Sequence, residues 1–180
     1  AGEVDVALLQ GGVAPQNPTL EAIGAIFFEP MIFLARRDVE ISSNPALWRD
    51  LRISSGRPGS GTAAIFEDFQ KAVGLDFSWN SQLSYSYADA VSGLISGDID
   101  VAVFIAPIDA PYLLPAFASA DIQLLAPAYS DAISRRLEYA NTVTIPAGAL
   151  SLDPVLPKTE LTLLALEARL AVGENLHPAL

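Results

Sequence analysis

Ser54-Ser55-Gly56-Arg57-Pro58-Gly59-Ser60-Gly61-Thr62 stands between a strand candidate, Leu51-Arg52-Ile53, and a helix candidate over residues 63–73. Three glycines let the backbone turn tightly and approach a ligand without Cβ clashes. Pro58 stiffens the turn, and the unpaired N–H groups of the helix's first turn point into it. The helix dipole and the hydroxyls of Ser60 and Thr62 complete a seat for a carboxylate or phosphate, with no lysine or metal required. The alternative is a plain strand-to-helix turn in which a hydroxyl only caps the helix. Gly56 and Gly61 have the spacing of a nucleotide-binding loop, but Thr62 follows Gly61 directly and the required lysine is absent.

Outward from this loop, apolar strand-like runs alternate with helical periodicity, which predicts an α/β fold. Strand candidates are 4–10, 25–28, 31–36, 51–54, 101–105, 122–125, 142–145 and 161–172. Several lack polar alternation, as strands buried on both faces do. Helix candidates are 18–23, 63–73, 87–96, 111–118 and 131–139, with Gly74 and Gly97 placed as C-terminal caps. Residues 52–126 read as a self-contained unit flanked by strands of a second layer. The expected organisation is two lobes, 1–40 with 142–180 and 41–141, with a cleft between them.

Composition excludes several classes. With 21 acidic against 10 basic residues the net charge is −11, which disfavours nucleic acid and anionic membrane surfaces as partners. Cysteine is absent, which removes disulfides and thiol chemistry. The longest apolar candidate, 22–35, is broken by Gly24, Glu29 and Pro30, short of a membrane-spanning helix. His177 is the only histidine, so neither a zinc site nor a Ser-His-Asp triad can be assembled around an internal imidazole. Asp98 and Asp100 flank Ile99 and read as a turn. No acid/base pair emerges, and the chain is not expected to be an enzyme or to need a cofactor. It starts inside a strand candidate, so it is expected to be a fragment whose first lobe is incomplete, with pairing of two copies through the exposed sheet edge.

In order along the chain stand Gly2-Glu3-Val4-Asp5-Val6-Ala7 with Gln10, Phe28-Glu29-Pro30 and the glycine loop through Thr62. Then follow Gly97-Asp98-Ile99-Asp100, Thr144-Ile145-Pro146-Ala147-Gly148 and Leu176-His177-Pro178-Ala179-Leu180. This ordered series resembles the TAXI family of TRAP-transporter solute receptors. The family's earlier glycine-rich segment of lobe one has no counterpart here. The resemblance implies a two-lobed type II periplasmic-binding-protein fold and an extracytoplasmic receptor. Such a receptor captures a small carboxylate-bearing solute for membrane permease subunits, and the tail resembles members that continue into a membrane anchor. The same fold also serves as the effector domain of regulators and sensor proteins, which is the rival reading.

The ligand-binding candidates are Gln10, Arg57, Gly59, Ser60, Gly61, Thr62 and Pro107. Gln10 ends a strand before Gly11-Gly12, where open α/β sheets place ligands. Arg57 can add a charge-assisted bond to a carboxylate or point to solvent. Pro107 follows the strand 101–105 and lies at a strand carboxyl end. Glu29 reads either as a hinge residue bonded to backbone or as a cleft group for a ligand amine. Asn80, Gln82, Tyr85 and Tyr87 suit a pocket mouth or an exposed loop.

Overall fold

The structure is a computed structural model that describes residues 6–12 and 20–173. The motifs at 2–5 and 176–180, His177 included, lie outside the described residues. In chain order the strands begin with β1 (Val6–Gln10), β2 (Leu20–Arg36) and β3 (Arg52–Ser54), followed by helix α1 (Gly61–Val73). Next come β4 (Ser81–Leu83), α2 (Tyr87–Ser96), β5 (Val101–Ile105), α3 (Leu114–Ala118), β6 (Ile122–Leu125) and α4 (Ser130–Ser134). The chain continues through β7 (Ala140–Ile145), β8 (Ser151–Leu152), β9 (Val155–Leu156) and β10 (Leu161–Gly173). The mixed sheet runs β1-β10-β2-β5-β3-β4, with β6 also on β2 and β7 also on β10. The α/β expectation holds.

Two long strands organise the sheet. Residues Leu20 to Pro30 of β2 pair antiparallel with β10, and Met31 to Arg36 pair antiparallel with β5 and β6. A proline inside a strand normally costs a ladder bond, because it has no N–H. Pro30 stands where β2 exchanges one partner for the others, and its carbonyl accepts from Ala106 N–H at 3.4 Å. The two expected strands 25–28 and 31–36 are therefore one strand. The helix expected over 18–23 is also corrected, since from Leu20 onward these residues are β2, paired along β10. Cross-strand pairing overrode a spacing of Leu20 and Ile23 that suited a helix.

Side-chain alternation sorts the core into two layers. Met31, Phe33 and Ala35 of β2 and Val101, Val103 and Ile105 of β5 pack with Ile65, Phe66 and Phe69 of α1. Ile32, Leu34, Ala102 and Phe104 face the other way, onto Ala90, Val91 and Leu94 of α2. Each fully buried large side chain contributes about 1.5–3 kcal/mol. By contrast Ile23, Ile26, Phe27 and Phe28 of β2 and Leu8 of β1 are exposed.

Helix boundaries follow local chemistry. Ser60 caps α1, its Oγ accepting from Ala63 N–H at 3.2 Å, and Gly74 closes the helix in the left-handed region. Ser86 and Gly97 do the same for α2. The expected helix 111–118 divides into a 3-10 turn, Pro111–Leu113, and α3. The helix expected over 131–139 shortens to α4, followed by turns that lead into β7. The aspartates read as a turn do more than that. Asp100 is buried, and its carboxylate accepts from Arg52 N–H, Nε and Nη2 at 2.8, 3.0 and 2.6 Å.

Candidate functional site

β3 pairs parallel with both β4 and β5, so the carboxyl ends of all three strands share one edge. The chain moves from β3 through α1 to β4 on one side, then through α2 to β5 on the other. Open α/β sheets bind ligands outside such a reversal of strand order. The glycine loop leaves β3 at this edge and delivers the N-terminus of α1 to it.

Gly56 adopts φ +92°, and a Cβ there would lie 2.8 Å from Ser60 Oγ, so the turn and the cap both require glycine. Ser60 N–H donates to Arg57 O at 3.0 Å, and Ala64 N–H to Ser60 O at 3.2 Å. Ala63 N–H is taken by the Ser60 hydroxyl. The N–H groups of Gly61 and Thr62 are left with no acceptor among the described residues. The Ser60 hydroxyl accepts through an oxygen lone pair, which leaves its proton free. Two backbone donors without an acceptor and the Ser60 hydroxyl thus stand together in the first turn, at the positive end of a 13-residue helix.

Thr62 is buried, and its hydroxyl is bonded to the Tyr87 hydroxyl. Tyr87 donates to Ile105 O at 3.3 Å. A phenol has one proton, so Thr62 is the donor of the pair and its own proton is spent on Tyr87. Around them, Gln82 Nε2 donates to Ser55 Oγ at 2.9 Å. Ser54 Oγ, at the end of β3, is fully buried with no hydrogen-bond partner. A buried hydroxyl in that state carries a desolvation cost of about 1–3 kcal/mol.

The other expected residues distribute as follows. Arg57 is exposed and leans 3.8 Å from Asp89 in the first turn of α2, an exposed pair of small energetic weight. Gly59 is exposed at the tip of the loop, with open space around it. Pro107 is exposed just past β5, at the same edge, where its carbonyl accepts from Ala110 N–H at 3.0 Å. Gln10 lies elsewhere, lining a cavity of about 170 Å³ with Leu20, Tyr139, Glu167 and Arg169, and no glycine-loop residue lines that cavity. Gly12 and Tyr139 lie between the two places: a Cβ on Gly12 would meet the Tyr139 ring at 2.5 Å and Ile65 of α1 at 2.6 Å, and the Tyr139 hydroxyl donates to Asp68 of α1 at 2.9 Å. Asn80 is structural: its side chain holds Leu51 N–H and Trp48 O at 3.0 Å each.

Sequence reasoning left Tyr112 out of the expected site and gave Glu29 only as one of two alternatives, a hinge residue or a cleft group. Tyr112 packs 5.2 Å from Tyr87, centroid to centroid, and burial raises its phenol to about 12, with Tyr87 and Glu29 adding to the rise. Glu29 is half-buried, and burial raises its carboxyl above the ordinary value. Neither carries a sequence signal beyond its residue type; Glu29 was legible only through its place between two apolar runs. Among the described residues no group of three or more His, Cys, Asp or Glu could hold a metal ion, and no helix is long and apolar enough to cross a membrane.

Comparisons with known proteins agree with this architecture. The periplasmic aliphatic sulphonate binding protein SsuA of Escherichia coli is similar over 69% of this chain and 40% of its own, at 17% identity and TM-score 0.53. The regulatory domain of CcmR from Synechocystis PCC6803, in complex with 2-PG, is similar over 97% of this chain and 66% of its own, at 13% identity and TM-score 0.56. The substrate binding protein of an amino acid ABC transporter is similar over 97% and 59%, at 14% identity and TM-score 0.53. The chain thus spans less than two thirds of the length of each, and it has their type II periplasmic-binding-protein-like fold. No curated protein matches the sequence significantly. Residues 1–159 match the NMT1-like family, and the chain belongs to that family.

Proposed function

We propose, with membership of the NMT1-like family as premise, that this chain is the solute-binding part of an extracytoplasmic receptor for a small carboxylate-bearing solute. It is not an enzyme; it delivers the solute to the membrane subunits of a TRAP-type transporter, as the TAXI resemblance implies. The observation that carries the reading is the pair of unaccepted N–H groups at Gly61 and Thr62. They stand beside the free proton of Ser60, at the edge where β3, β4 and β5 end. A carboxylate there accepts charge-assisted bonds at the positive helix end. In this reading the part of β2 paired with β10 (Leu20–Pro30) joins β1, β7 and β10 in one lobe, and Met31–Arg36 join β3 to β6 in the other, the two meeting where β2 changes partners. Closure of the lobes brings Gln10 toward the solute, buries it and signals occupancy.

Titration calorimetry with small carboxylates and their neutral amides tests the receptor reading. Carboxylates bind and amides do not if it holds; equal binding of both, or of neither, contradicts it. The similarity to the CcmR regulatory domain favours one rival, a ligand-sensing effector domain of a regulator. Crosslinking the full-length protein in native membranes separates the two. A solute-dependent crosslink to a second membrane polypeptide supports delivery, and its absence supports the regulator.

A further inference from the structure

The central strands have a second end, opposite the glycine loop. β2 runs antiparallel to β5, so Met31 stands beside Ile105 at the loop's edge and Ala35 beside Val101 at the other. Arg36 pairs with Ile122 at the start of β6, and Arg37 follows, its N–H donating to Asp121 O at 2.8 Å. At about 3.3 Å per residue, the path from Met31 to Arg37 leads about 20 Å away from the edge where the loop leaves β3.

A cavity of about 190 Å³ opens at this far end, between β6, α3 and the segment from β9 to the start of β10. Its apolar walls include Phe117 of α3, Leu124 of β6, Leu156 of β9 and Leu161 of β10. Two cations, Arg37 and Lys158, also line it, and no acidic residue does. The chain has 21 acidic residues against 10 basic ones, so a wall with two cations and no acid runs against its composition. The cavity beside Gln10 has the ordinary arrangement, with Arg169 paired to Glu167. Arg37 and Lys158 are exposed and belong to none of the ion pairs among the described residues. Asp38, next to Arg37 in sequence, is bound to Arg36 instead.

Unpaired positive charge beside apolar walls suits an anion with a short apolar body. The cations make the cavity locally attractive to anions on a chain of net charge −11, and the walls offer surface against which an alkyl group leaves water. At about 30 Å³ per water, the cavity has room for about six non-hydrogen atoms. That size admits a branched aliphatic body and is too small for a nucleotide or a long acyl chain.

We infer that this cavity is a second binding site, for a small carboxylate with an apolar body, whose charge is met by Arg37 and Lys158. It is separate from the site at α1 and does not depend on the receptor reading. An exposed charge pair contributes about two- to fivefold in affinity, so the two cations together are expected to contribute about tenfold.

The test is a titration of the isotope-labelled chain followed by backbone-amide NMR, with isocaproate, its neutral amide and acetate as probes. Isocaproate is expected to shift the signals of Gln123, Leu124, Lys158 and Leu161 saturably. The neutral amide lacks the charge and acetate lacks the apolar body, and each is expected to bind about tenfold more weakly. Arg37→Gln/Lys158→Gln is expected to lose about tenfold in affinity for isocaproate, whereas the charge-keeping Arg37→Lys/Lys158→Arg stays near wild type. Equal binding of the neutral amide overturns the proposal, as does undiminished binding by the charge-removing variant. An equal loss in both double variants overturns it too, since the charge is then not what binds. A response confined to Gly56, Gly61 and Thr62 overturns it while leaving the receptor reading intact, and absence of any shift at the cavity also overturns it.

Discussion

Thr62 and Tyr87 share a hydrogen bond that joins the first turn of α1 to the first residue of α2, across the edge where the central strands end. The helices lie on opposite faces of the sheet and pack into separate core layers, so this bond is one of the few links between them at the site. Its direction is fixed by the second bond of Tyr87, to Ile105 O.

Tyr87→Phe is expected to cost about 1–3 kcal/mol, because it strands the buried Thr62 hydroxyl. Thr62→Val removes the same bond from the other side, and the double variant should cost less than the sum of the two. A double-mutant cycle by urea denaturation measures the coupling, and strict additivity would show that the two hydroxyls do not interact.

The glycine loop makes its own prediction. Gly56→Ala meets a left-handed backbone and the Ser60 cap together, whereas Gly59→Ala at φ +79° meets the backbone alone. The left-handed conformation costs a residue with a Cβ about 1–2 kcal/mol. Gly59→Ala should lose about that much, and Gly56→Ala more, through displacement of a cap worth about 1 kcal/mol. Equal melting temperatures for the two variants would contradict the role given to Ser60.

Acid should weaken the hold of β5 on β3. Burial pushes the Asp100 carboxyl up, but the Arg52 guanidinium and Arg52 N–H outweigh it and hold it below 3.8. A carboxyl lowered in the folded state stabilises fully above its unfolded value, and that contribution is lost as pH falls through the folded value. Wild-type stability should therefore decline below about pH 3.8, and Asp100→Asn should flatten that part of the curve. At pH 7 Asp100→Asn is expected to cost about 1.5–3 kcal/mol, as hydrogen bonds to a charged group do. Denaturation between pH 2 and 7 reads both effects.

The sequence was most legible where one signal acted alone. β5 and β6 stand where unbroken apolar runs placed strands at 101–105 and 122–125, and Gly97 ends α2 as expected. Glu29-Pro30 read as a break because a proline ends most strands. It does not end β2, since the ladder changes partners there and the missing N–H falls at the exchange. β4, β8 and β9 have two or three residues each, too few to show a period. At the site, the cap by Ser60 was readable from the loop, whereas the commitment of Thr62's proton to Tyr87 was not. That bond depends on a helix 25 residues further along.

The central claim, an anion held by backbone N–H groups at α1, is tested most directly by Gly61→Pro. The substitution deletes one N–H at the first helical position, where proline is well accepted, and Ser60 before it is already extended at φ −77° and ψ 154°. The account predicts a melting temperature equal to or above that of wild type and a carboxylate affinity at least tenfold weaker by titration calorimetry. A well-folded Gly61→Pro protein that binds the same carboxylates as tightly as wild type would contradict it.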